Sequence, residues 1–204
     1  STGFFRSTVQ SYWSPSVDGA DITAGGAASQ LDYTSRNIYT NIGDDTNVSL
    51  TAASNALSAI KSLDDATKRS LLGLGAADTT AADDLVDWLY GKDIGDVDGD
   101  TVTDESREDM GDPLHSRPVT VIYGGTAASP DIDDGAVYLT TNDGVLHAFN
   151  PVDGGEYWAF LPQNLVDRAR DLYTNDRTEP EDRDYGLDGT IRIVRTDVNR
   201  NGIV

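Results

Sequence analysis

Cysteine is absent from the chain, which removes disulfides, thiolate metal sites and thiol catalysis and leaves the compartment open. Long apolar runs are absent too; no stretch reaches the roughly 20 residues that a membrane-crossing helix needs. Aromatic residues make up 8% and hydrophobic residues 38%, enough for a core but not a generous one. Basic residues are scarce, 15 against 35 acidic ones, for a formal net charge of -20 over 204 residues. A charge of that sign and size repels phosphate backbones and anionic lipid, so no nucleic acid and no direct membrane insertion is expected. Glutamate and lysine are scarce as well: 30 of the acids are Asp and 5 are Glu, and 12 of the bases are Arg and 3 are Lys. Aspartate is a poor helix former, a good turn former and a good oxygen ligand, so the skew points to turns and hard-cation sites. A salt-adapted or simply very soluble surface is the other source of such acidity.

What is present divides the chain into four stretches. Residues 1–47 are a strand and loop segment with scattered aromatics (Phe4, Phe5, Tyr12, Trp13, Tyr33, Tyr39), in which Val9 to Trp13 reads as a short strand. Residues 48–92 form a helical insertion. There Leu50, Ala53, Leu57 and Ile60 recur at helical spacing, Asp64 or Asp65 caps a second helix, and Thr79 or Thr80 caps a third that Gly91 stops. Residues 93–109 are an acidic turn, and residues 110–204 change to a period of two. Val119 to Tyr123, Ala136 to Thr141, Val145 to Asn150, Glu156 to Leu161 and Thr190 to Arg195 read as strands, with Asn142-Asp143-Gly144 as a tight hairpin turn and Leu165 to Tyr173 as a short helix. Short antiparallel strands joined by tight turns predict a fold that is mainly β with a helical insertion, in the manner of propeller blades.

The strongest local pattern is Asp96-Val-Asp98-Gly-Asp100-Thr-Val102-Thr-Asp104. Side-chain oxygens at positions 1, 3, 5 and 9, with the Val102 backbone carbonyl at 7, follow the first part of an EF-hand loop and predict Ca²⁺. Carboxylates so crowded repel one another unless a cation joins them. The pattern departs from that loop in having Gly at position 4 instead of 6 and Arg107 at position 12. Glu105 or Glu108 can supply the missing carboxylate, or the loop closes at nine residues with water. A solvated acidic turn is the plainer reading. A second copy, Asp197-Val-Asn199-Arg-Asn201-Gly-Ile203, offers oxygens from Asp197, Asn199 and Asn201 and the Ile203 carbonyl, and stops short of position 9. The chain is accordingly expected to be a fragment of a longer one.

A third pattern, Ala148-Phe-Asn150-Pro-Val-Asp153-Gly154-Gly-Glu156-Tyr-Trp158, has the spacing of the docking motif of quinoprotein-type propellers. There a Trp from one blade stacks on a peptide of the next, as structural glue. His115 and His147 are read as structural. Asp112 and Ser116 lie near His115, but triad partners come from separated segments, and there is no Gly-x-Ser-x-Gly.

Gly111-Asp112-Pro113-Leu114-His115-Ser116-Arg117-Pro118, followed by a Val-rich strand ending in Tyr123-Gly124, resembles the entry to the C-terminal domain of PilY/PilC-type pilus proteins. Asn142 to Asn150, Glu156 to Pro162 and the Tyr185-Gly186-Leu187-Asp188-Gly189 turn are similar to its later blocks. Ser35 to Thr40 and Leu85 to Gly91 resemble the segments before it. The resemblance implies a partial, quinoprotein-like β-propeller, exported by a bacterium and carried extracellularly at the tip of type IV pili. It further implies docking on minor pilins, contact with a host or abiotic surface, support of pilus assembly, retraction control and adhesion, and a nine-residue calcium loop. No enzymatic activity is expected. Two rival readings are a Ca²⁺-stabilised structural filament or surface-layer subunit and a fragment of a quinoprotein dehydrogenase, which needs a full ring of blades around its cofactor.

Overall fold

The computed structural model describes residues 6–19, 24–42, 49–175, 185–187 and 189–194. Its centre is a mixed sheet of five strands: β1 (Ile38–Tyr39), β2 (Val119–Thr126), β3 (Ser129–Thr140), β4 (Leu146–Phe149) and β5 (Glu156–Phe160), in the order β1-β5-β4-β3-β2. Strands β2 to β5 form an antiparallel meander, and β1 adds in parallel to β5, with Ile38 opposite Ala159. The fold is therefore mainly β with helical parts, and the sheet is open. Among the described residues there is one such leaf and no closed ring.

The four strands expected between residues 119 and 161 are the four of the meander. The turn between β3 and β4 is closed by Gly144 N–H donating to the Thr141 carbonyl (3.0 Å) and Thr141 N–H donating to Val145 (3.0 Å), with Gly144 at φ 97°. The β2–β3 hairpin runs further than its hydrophobic pattern does, to Thr126 opposite Ser129, and its far end is exposed.

Among the described residues, four helices accompany the sheet: α1 (Asp65–Leu71), α2 (Ala82–Tyr90), α3 (Gln163–Val166) and α4 (Ala169–Thr174). Asp64 caps α1 by accepting from Thr67 N–H at 3.0 Å. Gly91 ends α2 in the left-handed region at φ 101°. Leu57, Ile60, Leu72, Leu85, Val86 and Val166 bury completely against Ile38, Ala159 and Leu161 of the β1/β5 side of the sheet. Each such side chain contributes about 1.5–3 kcal/mol.

Several expectations are corrected. The first helix is two 3₁₀ turns, Ala53–Asn55 and Leu57–Ser62, split by Ala56 in extended geometry. Thr40 N–H takes the Asn55 carbonyl (2.7 Å) and Ala56 bridges Tyr39, so pairing with β1 overrides the helical period. Helix α2 starts after Ala81, without a threonine cap. The helix expected from Leu165 to Tyr173 is broken into α3 and α4. Val9 to Trp13 is not a strand, because the Val9 carbonyl is taken by the Asp18 and Gly19 N–H groups. Residues 190–194 form no strand either, and Val194 is 85% exposed.

Candidate metal centre

The acidic turn is an excursion from the end of α2. Its base is a short antiparallel stem in which Lys92 bridges Ser106, Asp93 N–H donates to the Glu105 carbonyl (2.9 Å) and Arg107 N–H donates to Gly91 (2.8 Å). Within the loop each aspartate accepts from a nearby backbone N–H. Asp96 Oδ1 takes Thr101 (2.9 Å), Asp98 Oδ1 takes Asp100 (3.1 Å) and Asp100 Oδ1 takes Val102 (2.7 Å). Asp93, itself 2% exposed, accepts from Val97 N–H through both oxygens. The sharp bend that EF-hand loops give to Gly at position 6 is made here by Thr101 at φ 72°, helped by Gly99 at φ 78° and Asp96 at φ 50°. A β-branched residue at positive φ is strained and persists only where its surroundings hold it.

Two overlapping groups of carboxylates result. Asp96, Asp98 and Asp100 bring oxygens within 4.8 Å of one another, and so do Asp93, Asp98 and Glu105, with Asp98 common to both. These groups can hold a metal ion. Glu105 Oε1 is buried without a hydrogen-bond partner. Burial first, and then the charges of Asp100, Asp98 and Asp93, hold the Glu105 carboxyl above its usual range. Hard oxygen donors with an unmet buried lone pair and mutual repulsion suit a hard cation.

The expected carboxylate set and the groups that the fold gathers differ at Asp104. Asp104 Oδ1 accepts from Lys92 Nζ (2.8 Å) and Tyr33 Oη (2.8 Å), which hold its carboxyl below the usual range and tie it to the stem. The carboxylates that the fold gathers include Asp93 and Glu105 and not Asp104. Glu105 was in view from its spacing; Asp93 was missed, because it precedes the pattern and only the stem brings it round. Val102 is exposed, and its N–H donates to Asp100 within the loop. The second loop, with Asp197, Asn199, Asn201 and Ile203, lies outside the described residues.

Comparison with known proteins returns no matching family model, curated protein or solved structure.

The other sequence patterns meet beside this loop. Gly111 lies against Asp143, so that a Cβ there would come within 2.5 Å of the carboxylate. Asp112 and Asn142 exchange hydrogen bonds, and Gly186 N–H donates to the Asn142 carbonyl at 2.9 Å. The blocks beginning at Gly111, Asn142 and Tyr185 thus converge on one turn. A further convergence is buried. Arg36 Nε and Nη2 donate to the two Glu156 oxygens (2.7 and 3.0 Å), Arg36 Nη1 donates to the Tyr90 carbonyl (3.0 Å), and His147 Nδ1 lies 2.7 Å from Glu156 Oε1. His147 Nε2 lies 3.3 Å from Thr141 Oγ1, which completes a Thr–His–Glu row. Thr141 is fully buried. His115 packs near Tyr185, and Ser116 Oγ accepts from Thr140 N–H and hydroxyl, away from His147.

Trp158 of the docking pattern packs on Tyr138 of the same sheet, with ring centroids 5.9 Å apart. The residue stacked on the motif's own turn is Trp13, whose indole N–H donates to the Pro151 carbonyl (3.1 Å). A cleft of about 270 Å³ separates the loop stem from the β3–β4 turn, with Arg107, Asp109, Met110, Asp143 and His147 among its walls.

Proposed function

We propose that this chain is a calcium-binding, non-enzymatic module of a PilY/PilC-type protein, working outside the cell at the tip of type IV pili. The observation that carries the reading is the pair of carboxylate groups sharing Asp98, with the unpartnered Glu105 oxygen. Asp93, Asp96, Asp98, Asp100 and Glu105, with the Val102 carbonyl, supply the oxygens that Ca²⁺ takes six to eight of. When bound, the ion supplies charge neutralisation, and ten-fold excess over its dissociation constant stabilises the folded loop by roughly 1.4 kcal/mol. That is enough to order a loop and too little to fold a domain.

The pilus reading is supported by the meeting of the resemblance's separated blocks at the Asn142–Gly144 turn and at the Arg36–Glu156–His147 cluster. Blade architecture is supported by the four-stranded meander and by an indole from a remote segment seated on the turn of the docking pattern. In this role the module docks on minor pilins and leaves its acidic face toward a host or abiotic surface. The test is made in a bacterium carrying the full-length protein with Asp98→Asn and Glu105→Gln together. Surface pili and adhesion are expected to fall as they do on calcium chelation. Pili and adhesion indifferent to both changes would reject the proposal.

A further inference from the structure

Arg107 enters the cleft from the loop stem with donors to spare. Its guanidinium lies over the Trp88 ring, 4.3 Å from the centroid, and its side chain is 14% exposed. Nη2 donates to the Trp88 carbonyl at 3.1 Å, and Nη1 comes no closer than 3.3 Å to Asp109. Nε is buried and has no hydrogen-bond partner among the described residues. A guanidinium presents its N–H groups in a rigid fork that matches a carboxylate, and a buried donor left unmet is costly. This wall lacks an acceptor.

The facing wall has the opposite surplus. Asp143 accepts from Thr141 and Val145 at one oxygen, Oδ1, and Asp112 stands exposed at the same end of the cleft. The Asp109 carboxyl is held above its usual range first by burial and then, against the pull of Arg107, by Asp143 and Asp93. Arg36, the other arginine of the walls, is already taken by both Glu156 oxygens. The carboxylates at the mouth therefore lack a cation. Between the two walls the lining is apolar, from Leu89, Met110 and Leu172.

We propose that this cleft binds a free α-amino acid with an aliphatic side chain, its carboxylate on the Arg107 guanidinium, its ammonium on Asp143 and Asp109, and its side chain on Leu89, Met110 and Leu172. Asp143 is near enough to act on the Arg107 charge, so one small molecule spans the two. A simple anion would meet Asp109 and Asp143, and a simple cation would meet Arg107, so the walls select a molecule that carries both charges. The end of a peptide carries only one of them. Pockets for drug-sized ligands run from about 300 to 1,000 Å³. At about 270 Å³ the cleft takes something smaller, which a single amino acid is.

The sequence holds one methionine, Met110 in the cleft lining, so a ¹³C-methyl-methionine label on the intact chain reports from inside the site with a single signal. The labelled protein is titrated with L-leucine, with L-leucinamide, which keeps only the ammonium, and with N-acetyl-L-leucine, which keeps only the carboxylate. L-leucine is expected to move the methyl signal saturably. Each single-charge analogue should need about ten-fold higher concentration or more, since it forgoes a charge-assisted hydrogen bond. Asp143→Asn is expected to weaken L-leucine and L-leucinamide and to leave N-acetyl-L-leucine unchanged; should that variant not fold, the three wild-type titrations decide. A signal that L-leucine leaves in place in the folded protein overturns the proposal. So does either analogue matching L-leucine, which would make the cleft a site for one charge alone.

Discussion

Trp13 lies flat enough on Gly154 that a Cβ at the glycine would come within 2.6 Å of the indole ring. Residues 141 positions apart are joined there, and Gln30 Nε2 adds a second tie to the same turn through the Asp153 carbonyl (2.7 Å). Gly154 sits at φ 81°, where an alanine is strained even without the ring above it. Gly154→Ala is expected to destabilise by about 2 kcal/mol or more, and Trp13→Ala by about 2 kcal/mol, in denaturant titrations. The double variant should cost less than the sum, since either change empties the same contact. Additive costs would mean that the two residues act separately.

Acid stability follows from Glu156. Burial pushes its carboxyl up, but the hydrogen bonds from His147 and Arg36 outweigh burial and bring it from 4.5 down to about 2. A carboxylate held low stabilises the fold above its unfolded value, and that contribution is lost as pH falls through the folded one. Unfolding free energy should therefore drop on the order of 3 kcal/mol between pH about 4.5 and about 2. Glu156→Gln should be less stable at neutral pH, because Arg36 is left buried without its partner charge, and flatter across that acid window. An equally steep acid limb in Glu156→Gln would move the effect to other carboxylates.

Thr101 makes the bend of the acidic loop at φ 72°. Thr101→Gly removes the steric cost of a β-branched side chain there, at a cost in unfolded-state entropy. The balance is expected to favour the variant by about 1 kcal/mol, read as a higher melting temperature, with calcium binding retained. A lower melting temperature would show that the threonine makes contacts outweighing its strain.

Much of the β region was legible because its strands alternate and its turns carry Asn142, Asp143 and Gly144. Asp64 and Gly91 were legible as helix boundaries for local reasons, a side-chain cap and a left-handed stop. The 3₁₀ turns around Ala56 were not, since the pairing that splits them comes from Tyr39. The same limit applied at the site. Asp96, Asp98 and Asp100 are close in sequence and stay close in space, whereas Asp93 reaches the group only through the stem, and Asp104 is drawn off by Tyr33, a residue from the N-terminal segment. Trp13 could not be paired with Gly154 by any local pattern, and Trp158, to which the stacking was assigned, packs on Tyr138 of its own sheet instead.

Calorimetric titration of the purified chain with CaCl₂ bears most directly on the account. Wild-type protein is predicted to bind Ca²⁺, with an affinity in the range of about 10⁻⁴–10⁻³ M typical of extracellular modules. Asp98→Asn, which touches both carboxylate groups, should abolish the signal, while Asp104→Asn should retain it because that carboxylate is engaged by Lys92 and Tyr33. Wild-type protein that circular dichroism shows to be folded, yet gives no calcium-dependent heat at millimolar ion, would contradict the account.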